Sequence, residues 1–363
     1  MTKADTISNI PAQFGAEADI VFTHSGSAVD VRLTRPKALN ALTHAMALAL
    51  HAGLRAFRND EAVSHVVISA EIGDKRAFCA GGDIRDLYEG FQAGTPRHAF
   101  FRDEYRLNDA IATFPKPYVA LMDGMVMGGG AGISMHGSHR IVTENTRFAM
   151  PEVGIGLIPD VGGSYVLPRL AKQIGFFLGL TGTIIGPEEC LETGIGTHFC
   201  DSHKVEDLRS SLLASEEPAS ILQVLRTKPQ QNALQENTNA IAAIFSAATL
   251  SEVFERLEQK SQTNPFFATA LKRIKAASPL SLCLAFEQLQ RGRSLSMRDG
   301  LIMEYQLVSR ILGGLDLYEG IRAAIIDRAT PPKWQHVSIE SIDSTSLASF
   351  FTSPPEGDLA FET

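Results

Sequence analysis

The chain has 363 residues, 44% of them hydrophobic and 20% charged, with a formal net charge of −8. This is the balance of an ordinary globular protein with ample material for a core, and the acidic excess argues against a phosphate-backbone-binding surface, so nucleic acid is not an expected partner. The four cysteines, Cys79, Cys190, Cys200 and Cys283, form no CxxC pair, so reduced thiols in a cytoplasmic protein are expected rather than a disulfide framework.

Taken in chain order, residues 1–15 read as loose, and MTKADTISNIPAQFG carries no secretory-type apolar segment. Val29 to Leu33 alternates like a strand, and Met46, Leu50, Leu54 and Phe57 recur at helical spacing over about 43–58. His65 to Ser69 reads as a buried strand. The turn Ala80-Gly81-Gly82 follows, and a helix opens near Asp83. A second apolar strand, Tyr118 to Met122, leads to Gly128-Gly129-Gly130, a helix, and the strand Arg140 to Val142. Such alternation predicts βαβ units and a largely parallel sheet. The longest run without charges, 124–139, is rich in glycine and contains two histidines and two serines, so it does not suit a membrane span. Pro187 with Glu188 and Glu189 marks a helix start. Beyond 204 the chain reads mainly helical, with a strong stripe at Leu301, Tyr305, Val308 and Leu312, and the tail after about Pro331 reads as irregular. No internal repeat is evident.

Each glycine turn follows a buried strand and feeds a helix. Glycine permits close approach to peptide N–H groups, and a helix start leaves such groups free. Two such turns side by side could aim two donors at one oxygen, which a thioester carbonyl needs as it gains charge. The alternative is that both are tight turns packing helix on sheet. Neither turn has the GxGxxG or GxxxxGK[ST] pattern of a nucleotide site.

Three carboxylates stand in apolar settings. Glu152 and Asp160 lie within Phe148-Ala149-Met150-Pro151-Glu152 and Ile158-Pro159-Asp160-Val161-Gly162-Gly163. Desolvation there would raise their pKa values and suit acid–base work, although both could instead cap helix starts. The prolines favour an extended loop. Glu104 shares a helix face with Phe100, Leu107 and Ile111, which fits either a site role or a buried pair with an arginine. His136 and His139 have no companion carboxylate motif, so no metal site is expected. Ser134 fails the GxSxG pattern.

Together these segments resemble the crotonase (enoyl-CoA hydratase/isomerase) superfamily. The resemblance is carried by Arg35-Pro36-Lys37-Ala38-Leu39-Asn40-Ala41-Leu42, Ala77-Phe78-Cys79-Ala80-Gly81-Gly82-Asp83, Lys116-Pro117-Tyr118-Val119-Ala120, Met127-Gly128-Gly129-Gly130 and Pro151-Glu152-Val153-Gly154-Ile155-Gly156-Leu157. It implies an α/β fold, a crotonase-like spiral of ββα units (16–200), with a helical C-terminal region (201–335) and an irregular tail (336–363). It also implies an acyl-CoA substrate, no metal and no cofactor beyond the CoA of the substrate itself. By position, Gly82 and Gly129 would form the oxyanion hole. Lys37, Ala38, Leu39, Ala80, Gly81 and Asp83 would contact substrate or CoA.

Two departures select the branch. Hydratases carry a glutamate two residues after the glycine triplet, where this chain has Gly132, and a small residue where it has Asp160. Loss of one and gain of the other resembles the 3-hydroxyisobutyryl-CoA hydrolase branch, as do Phe101-Arg102-Asp103-Glu104-Tyr105, Thr197-His198-Phe199, Met303-Glu304-Tyr305 and Glu319-Gly320-Ile321-Arg322-Ala323. In that branch the position of Glu104 is associated with substrate binding. Glu152 would activate water or attack the carbonyl directly, and Asp160 would hold the substrate hydroxyl or protonate the departing thiolate. An enoyl-CoA hydratase or isomerase and a non-catalytic acyl-CoA-binding protein are the competing readings. A homo-oligomer is an open expectation, because family members often form trimers.

Overall fold

Short apolar segments set the architecture of the computed structural model, which describes residues 3–215 and 217–361. Strands β1 (Ile20–Ser25), β2 (Ala28–Leu33), β3 (His65–Ala70), β5 (Tyr118–Met122), β7 (His139–Val142) and β9 (His198–Phe199) form one sheet in the order β1-β2-β3-β5-β7-β9. Only β1 and β2 pair antiparallel; from β2 onward every pairing is parallel. Parallel strands are covered on both faces and so read as continuous apolar runs: every residue of β5 is buried, and in β3 all but the last. A smaller sheet has the order β4-β6-β8, from β4 (Ala77–Cys79), β6 (Met125–Met127) and β8 (Arg147–Ala149).

The chain therefore repeats one motif: a strand in the large sheet, a strand in the small sheet, then a helix. β3 and β4 lead to α-helix Ile84–Gln92, β5 and β6 to α-helix Gly129–Gly132, and β7 and β8 to the 3-10 turn Glu152–Ile155. This is the expected spiral of ββα units. Each small-sheet strand ends where a turn begins, so the topology delivers the glycine turns and the Glu152 segment to corresponding places in successive repeats.

By its contacts the chain divides into two units, each assembled from three stretches. The first takes Met1–Gly82, Arg106–Phe148 and Ile185–Asn232; the second takes Asp83–Tyr105, Ala149–Ile184 and Ala233–Thr363. In the second unit, helices Pro265–Ala276, Pro279–Gly292 and Met297–Ile311 start at Asn264, Ser278 and Ser296, whose side chains accept amide hydrogen bonds. Two of these caps precede a proline, the residue that tolerates the first helical position.

Some local expectations need correction. Residues Lys3–Gln13 form a helix rather than a loose end, because Ile7 and Pro11, four apart, are both buried on one side. The segment after Pro331 contains the 3-10 turn Ile339–Ser341 and the helix Ser344–Ser349, which Asp343 caps. All four cysteines are free. No helix among the described residues is long and apolar enough to cross a membrane.

Candidate active site

In the first unit the two glycine turns leave neighbouring strands, for β4 and β6 pair in parallel with Ala77 opposite Met125 and Cys79 opposite Val126. Their contact is close. A side chain on Gly130 would put its Cβ 2.1 Å from the Cys79 carbonyl oxygen, and one on Gly81 would meet the Met127 carbonyl at 3.6 Å. Only glycine fits the first place, and Gly81 and Gly128 also adopt positive φ, 121° and 47°. Gly129 is the first residue of its helix, where an amide has no intrahelical acceptor. Gly132 is buried in the same turn and offers only backbone.

The segment 35–42 is bound to the first turn. Ala80 N donates to Leu39 O at 3.1 Å, Leu42 N donates to Gly81 O at 2.8 Å, and Leu42 and Gly82 form a parallel bridge. Asn40 anchors the loop: its Oδ1 accepts from Arg35 N, and its Nδ2 donates to Glu71 O and Ala77 O, each at 2.9 Å. Leu39 and Asn40 both have positive φ, and asparagine is among the few side chains that bear it readily. Thus Lys37, Ala38, Leu39, Ala80, Gly81, Gly82 and Gly129 are brought together in one unit, with Lys37 and Ala38 exposed. Asp83 instead opens helix Ile84–Gln92 in the other unit, without a side-chain cap bond.

The second unit holds the carboxylates. Glu104 on helix His98–Ala112, Glu152 and Asp160 are 2%, 4% and 3% exposed. Glu152 begins a 3-10 turn rather than an extended loop. That turn is pressed on helix Asp316–Ile321: a Cβ on Gly320 would lie 2.3 Å from the Ile155 carbonyl oxygen, and one on Gly156 2.4 Å from Asp316 backbone. Ser278 N also donates to Val153 O, and Ser278 Oγ to Asp316 Oδ2. The frame is rigidly bonded, yet neither oxygen of Glu152 has a hydrogen-bond partner among the described residues, nor does Glu104 Oε1. Such orphaned acceptors in a buried place invite an incoming donor.

Asp160 is held differently. The Tyr105 hydroxyl donates to its Oδ2 at 2.8 Å. It does not cap the following helix, as sequence allowed. That duty falls to Glu304 on helix Met297–Ile311, which accepts from Gly162 N and Ser164 N, each at 2.8 Å. In the sequence Glu304 stands out only as part of the motif Met303-Glu304-Tyr305.

Burial raises the pKa of all four carboxyl groups. For Glu104 and Glu152 burial leads, and the neighbouring carboxylates add to it, Asp160 first; both stand well above the usual range. The Glu152 backbone amide pulls the other way without making a hydrogen bond of acceptable geometry. Asp160 is pushed up to about 7 by burial, against the Tyr105 hydrogen bond. Glu304 rises to about 8, again through burial, against the bonds from Ser164 and Gly162. Among the described residues, the main groups that shift these four include no arginine, lysine or histidine. A cluster of acids tuned towards neutrality is suited to proton transfer.

A family model described as "Enoyl-CoA hydratase/isomerase" matches residues 29–351. A 3-hydroxyisobutyryl-CoA hydrolase, mitochondrial, of Danio rerio is 40% identical over 355 residues, covering 95% of this chain and 92% of that protein. Among solved structures, an enoyl-CoA hydratase from Rhodobacter sphaeroides is 41% identical with a TM-score of 0.86, covering 94% of this chain and all of the other. A carnitinyl-CoA dehydratase from Mycobacterium thermoresistibile is 34% identical with a TM-score of 0.88, covering 95% and 99%.

Proposed function

Because the chain belongs to the enoyl-CoA hydratase/isomerase family, we propose that it is an acyl-CoA thioester hydrolase that converts 3-hydroxyisobutyryl-CoA to 3-hydroxyisobutyrate and coenzyme A, a step of valine degradation. The observation that carries this reading is the pairing of a partnerless, buried Glu152 with an Asp160 held by a tyrosine in the same unit. The names of the two solved structures point to lyases instead, but one fold hosts several chemistries and the site decides. A hydratase of this family would carry a second glutamate where Gly132 stands.

In the proposed reaction the Gly82 and Gly129 amides stabilise the negative charge that develops on the thioester oxygen. Glu152, once ionised, takes a proton from water, or attacks the carbonyl itself to give a mixed anhydride that water then opens. In either route the C–S bond breaks, a C–O bond forms, and the thiolate leaves with a proton. Asp160 holds the 3-hydroxyl or supplies that proton, and Glu104 contacts the acyl group. Lys37, Ala38, Leu39, Ala80, Gly81 and Asp83 serve CoA. CoA arrives within the substrate, and the hydrolysis calls for no further cofactor. Four free thiols agree with a reducing compartment. Our reading is cytoplasmic, whereas the Danio rerio relative is named mitochondrial, and cell fractionation distinguishes the two.

The test offers 3-hydroxyisobutyryl-CoA and crotonyl-CoA in parallel, following free thiol and enoyl absorbance. Thiol release from the first substrate is expected. Rapid loss of enoyl absorbance without thiol would establish the hydratase instead. Turnover of neither, with Glu152→Gln binding acyl-CoA as the wild type does, would make the chain a non-catalytic acyl-CoA binder.

A further inference from the structure

Glu304 is fully buried on helix Met297–Ile311. Its Oε2 accepts from Gly162 N, and its Oε1 accepts from both Ser164 N and Ser164 Oγ. All three partners donate, two of them backbone amides that can do nothing else, so both oxygens are held as acceptors, which favours the ionised form against the burial that raises Glu304 to about 8. We propose that Glu304 is a positioning residue for Asp160, clamping the turn that immediately follows it and thereby fixing where the Asp160 carboxylate points.

The turn needs such a clamp. Val161 has φ 50° and Gly162 φ 87°, and positive φ in a β-branched residue is a strained outlier that persists only when its surroundings enforce it. The backbone is held on both sides of the strained residue: Gln288 Nε2 donates to Pro159 O at 2.7 Å, Gly163 N donates to Asp160 O at 2.7 Å, and Glu304 takes the amides beyond. Gly300, one helical turn before Glu304, lets the helix close on the turn, since a Cβ there would lie 2.8 Å from Ser164 Oγ. A four-residue helix, Gly163–Val166, could be capped by a serine or aspartate just before it in sequence. Instead it uses a buried glutamate from a distant helix, in a cluster that already contains Glu104, Tyr105, Glu152 and Asp160 and no cation among the groups acting on them. Stability alone would favour an apolar or uncharged solution at that place. When ionised, Glu304 also helps to raise Glu104, Glu152 and Tyr105.

The inference rests on Asp160 and Glu152 working in hydrolysis, and two variants of the full-length enzyme test it through kcat, KM and the pH dependence of kcat/KM for 3-hydroxyisobutyryl-CoA. Glu304→Gln places an amide against at least one of the donors. It is expected to lower kcat about tenfold or more with KM changed less than about threefold, as for a group that acts through the transition state. Its acidic limb is expected to move to lower pH by about half a unit or more, because a negative neighbour that held protons on Glu152 is gone. Ser164→Ala keeps both amide bonds but removes a donor that favours the ionised form of Glu304, so the negative neighbour is present less often and the acidic limb is expected to move the same way by a smaller amount. A graded shift of this sign, with KM kept, is not what general loosening of the fold gives. Unmoved limbs in both folded variants, or shifts to higher pH, overturn the proposal, and Ser164→Ala decides alone if Glu304→Gln fails to fold. Glu152→Gln is the control: wild-type hydrolysis by that variant would sink the functional reading rather than the role of Glu304.

Discussion

Replacing Tyr105 by phenylalanine removes one hydroxyl and little else, since the ring is wholly buried on its helix and its oxygen has Asp160 Oδ2 as acceptor at 2.8 Å. A hydrogen bond to a charged group contributes about 1.5–3 kcal/mol, and one pKa unit corresponds to about 1.4 kcal/mol. Losing the bond should therefore raise Asp160, already at about 7, by roughly one to two units. If ionised Asp160 is the working form, the acidic limb of thiol release moves up by that amount. At pH 7 the variant is then slower by about five- to fiftyfold, and it recovers towards the wild-type rate at alkaline pH. Stability follows the same sign. A carboxyl group whose folded pKa lies above its unfolded value stabilises most below the unfolded value and loses that contribution as pH rises through the folded one. The difference in Tm between variant and wild type is thus small near pH 4 and widens through pH 7 to 9. The assay is thiol release from pH 5 to 10, with thermal melts across the same range. An acidic limb unmoved, or moved to lower pH, in a folded Tyr105→Phe protein would refute the reasoning.

Three further outcomes are expected. Asn40→Ala loses three hydrogen bonds of a buried side chain and keeps a positive φ that alanine disfavours; it should cost about 2–4 kcal/mol in denaturant unfolding and raise KM for the CoA ester. Gly130→Ala drives a Cβ into the Cys79 carbonyl, so the turn must shift; at least the ~1–3 kcal/mol of overpacking should appear as a lower Tm, with thiol release largely lost. Asn108 is fully buried with neither amide atom partnered among the described residues; Asn108→Leu should therefore stabilise the fold by about 1–3 kcal/mol, and a fall in Tm would show that the amide has a solvent partner.

How much of this was legible depended on how local each feature is. The strand Tyr118–Met122, the helix His44–Arg58 behind its Thr43 cap and the buried face carrying Glu104 follow from short-range periodicity. The glycine turns were legible as turns, but their mutual contact depends on β4 pairing β6. The repeated strand–strand–helix motif left no trace as a sequence repeat, because topology recurs while residues do not. Glu304 was illegible in its role, since its partners lie 140 and 142 positions away. The helix Lys3–Gln13 was missed because two buried residues, Ile7 and Pro11, decide it, and proline weighs against helix in any local reading.

The second unit is interlaced with the first along the chain, which orders its assembly in time. On the ribosome, Glu104, Glu152 and Asp160 emerge well before helix Met297–Ile311, so a nascent chain carries its acids long before the residue that receives the Gly162 and Ser164 amides. Completion of that half waits until helix Met297–Ile311 has been made. A premature stop codon downstream of Asp160 but upstream of Glu304 would leave every proposed catalytic group encoded and the frame that aims them unmade.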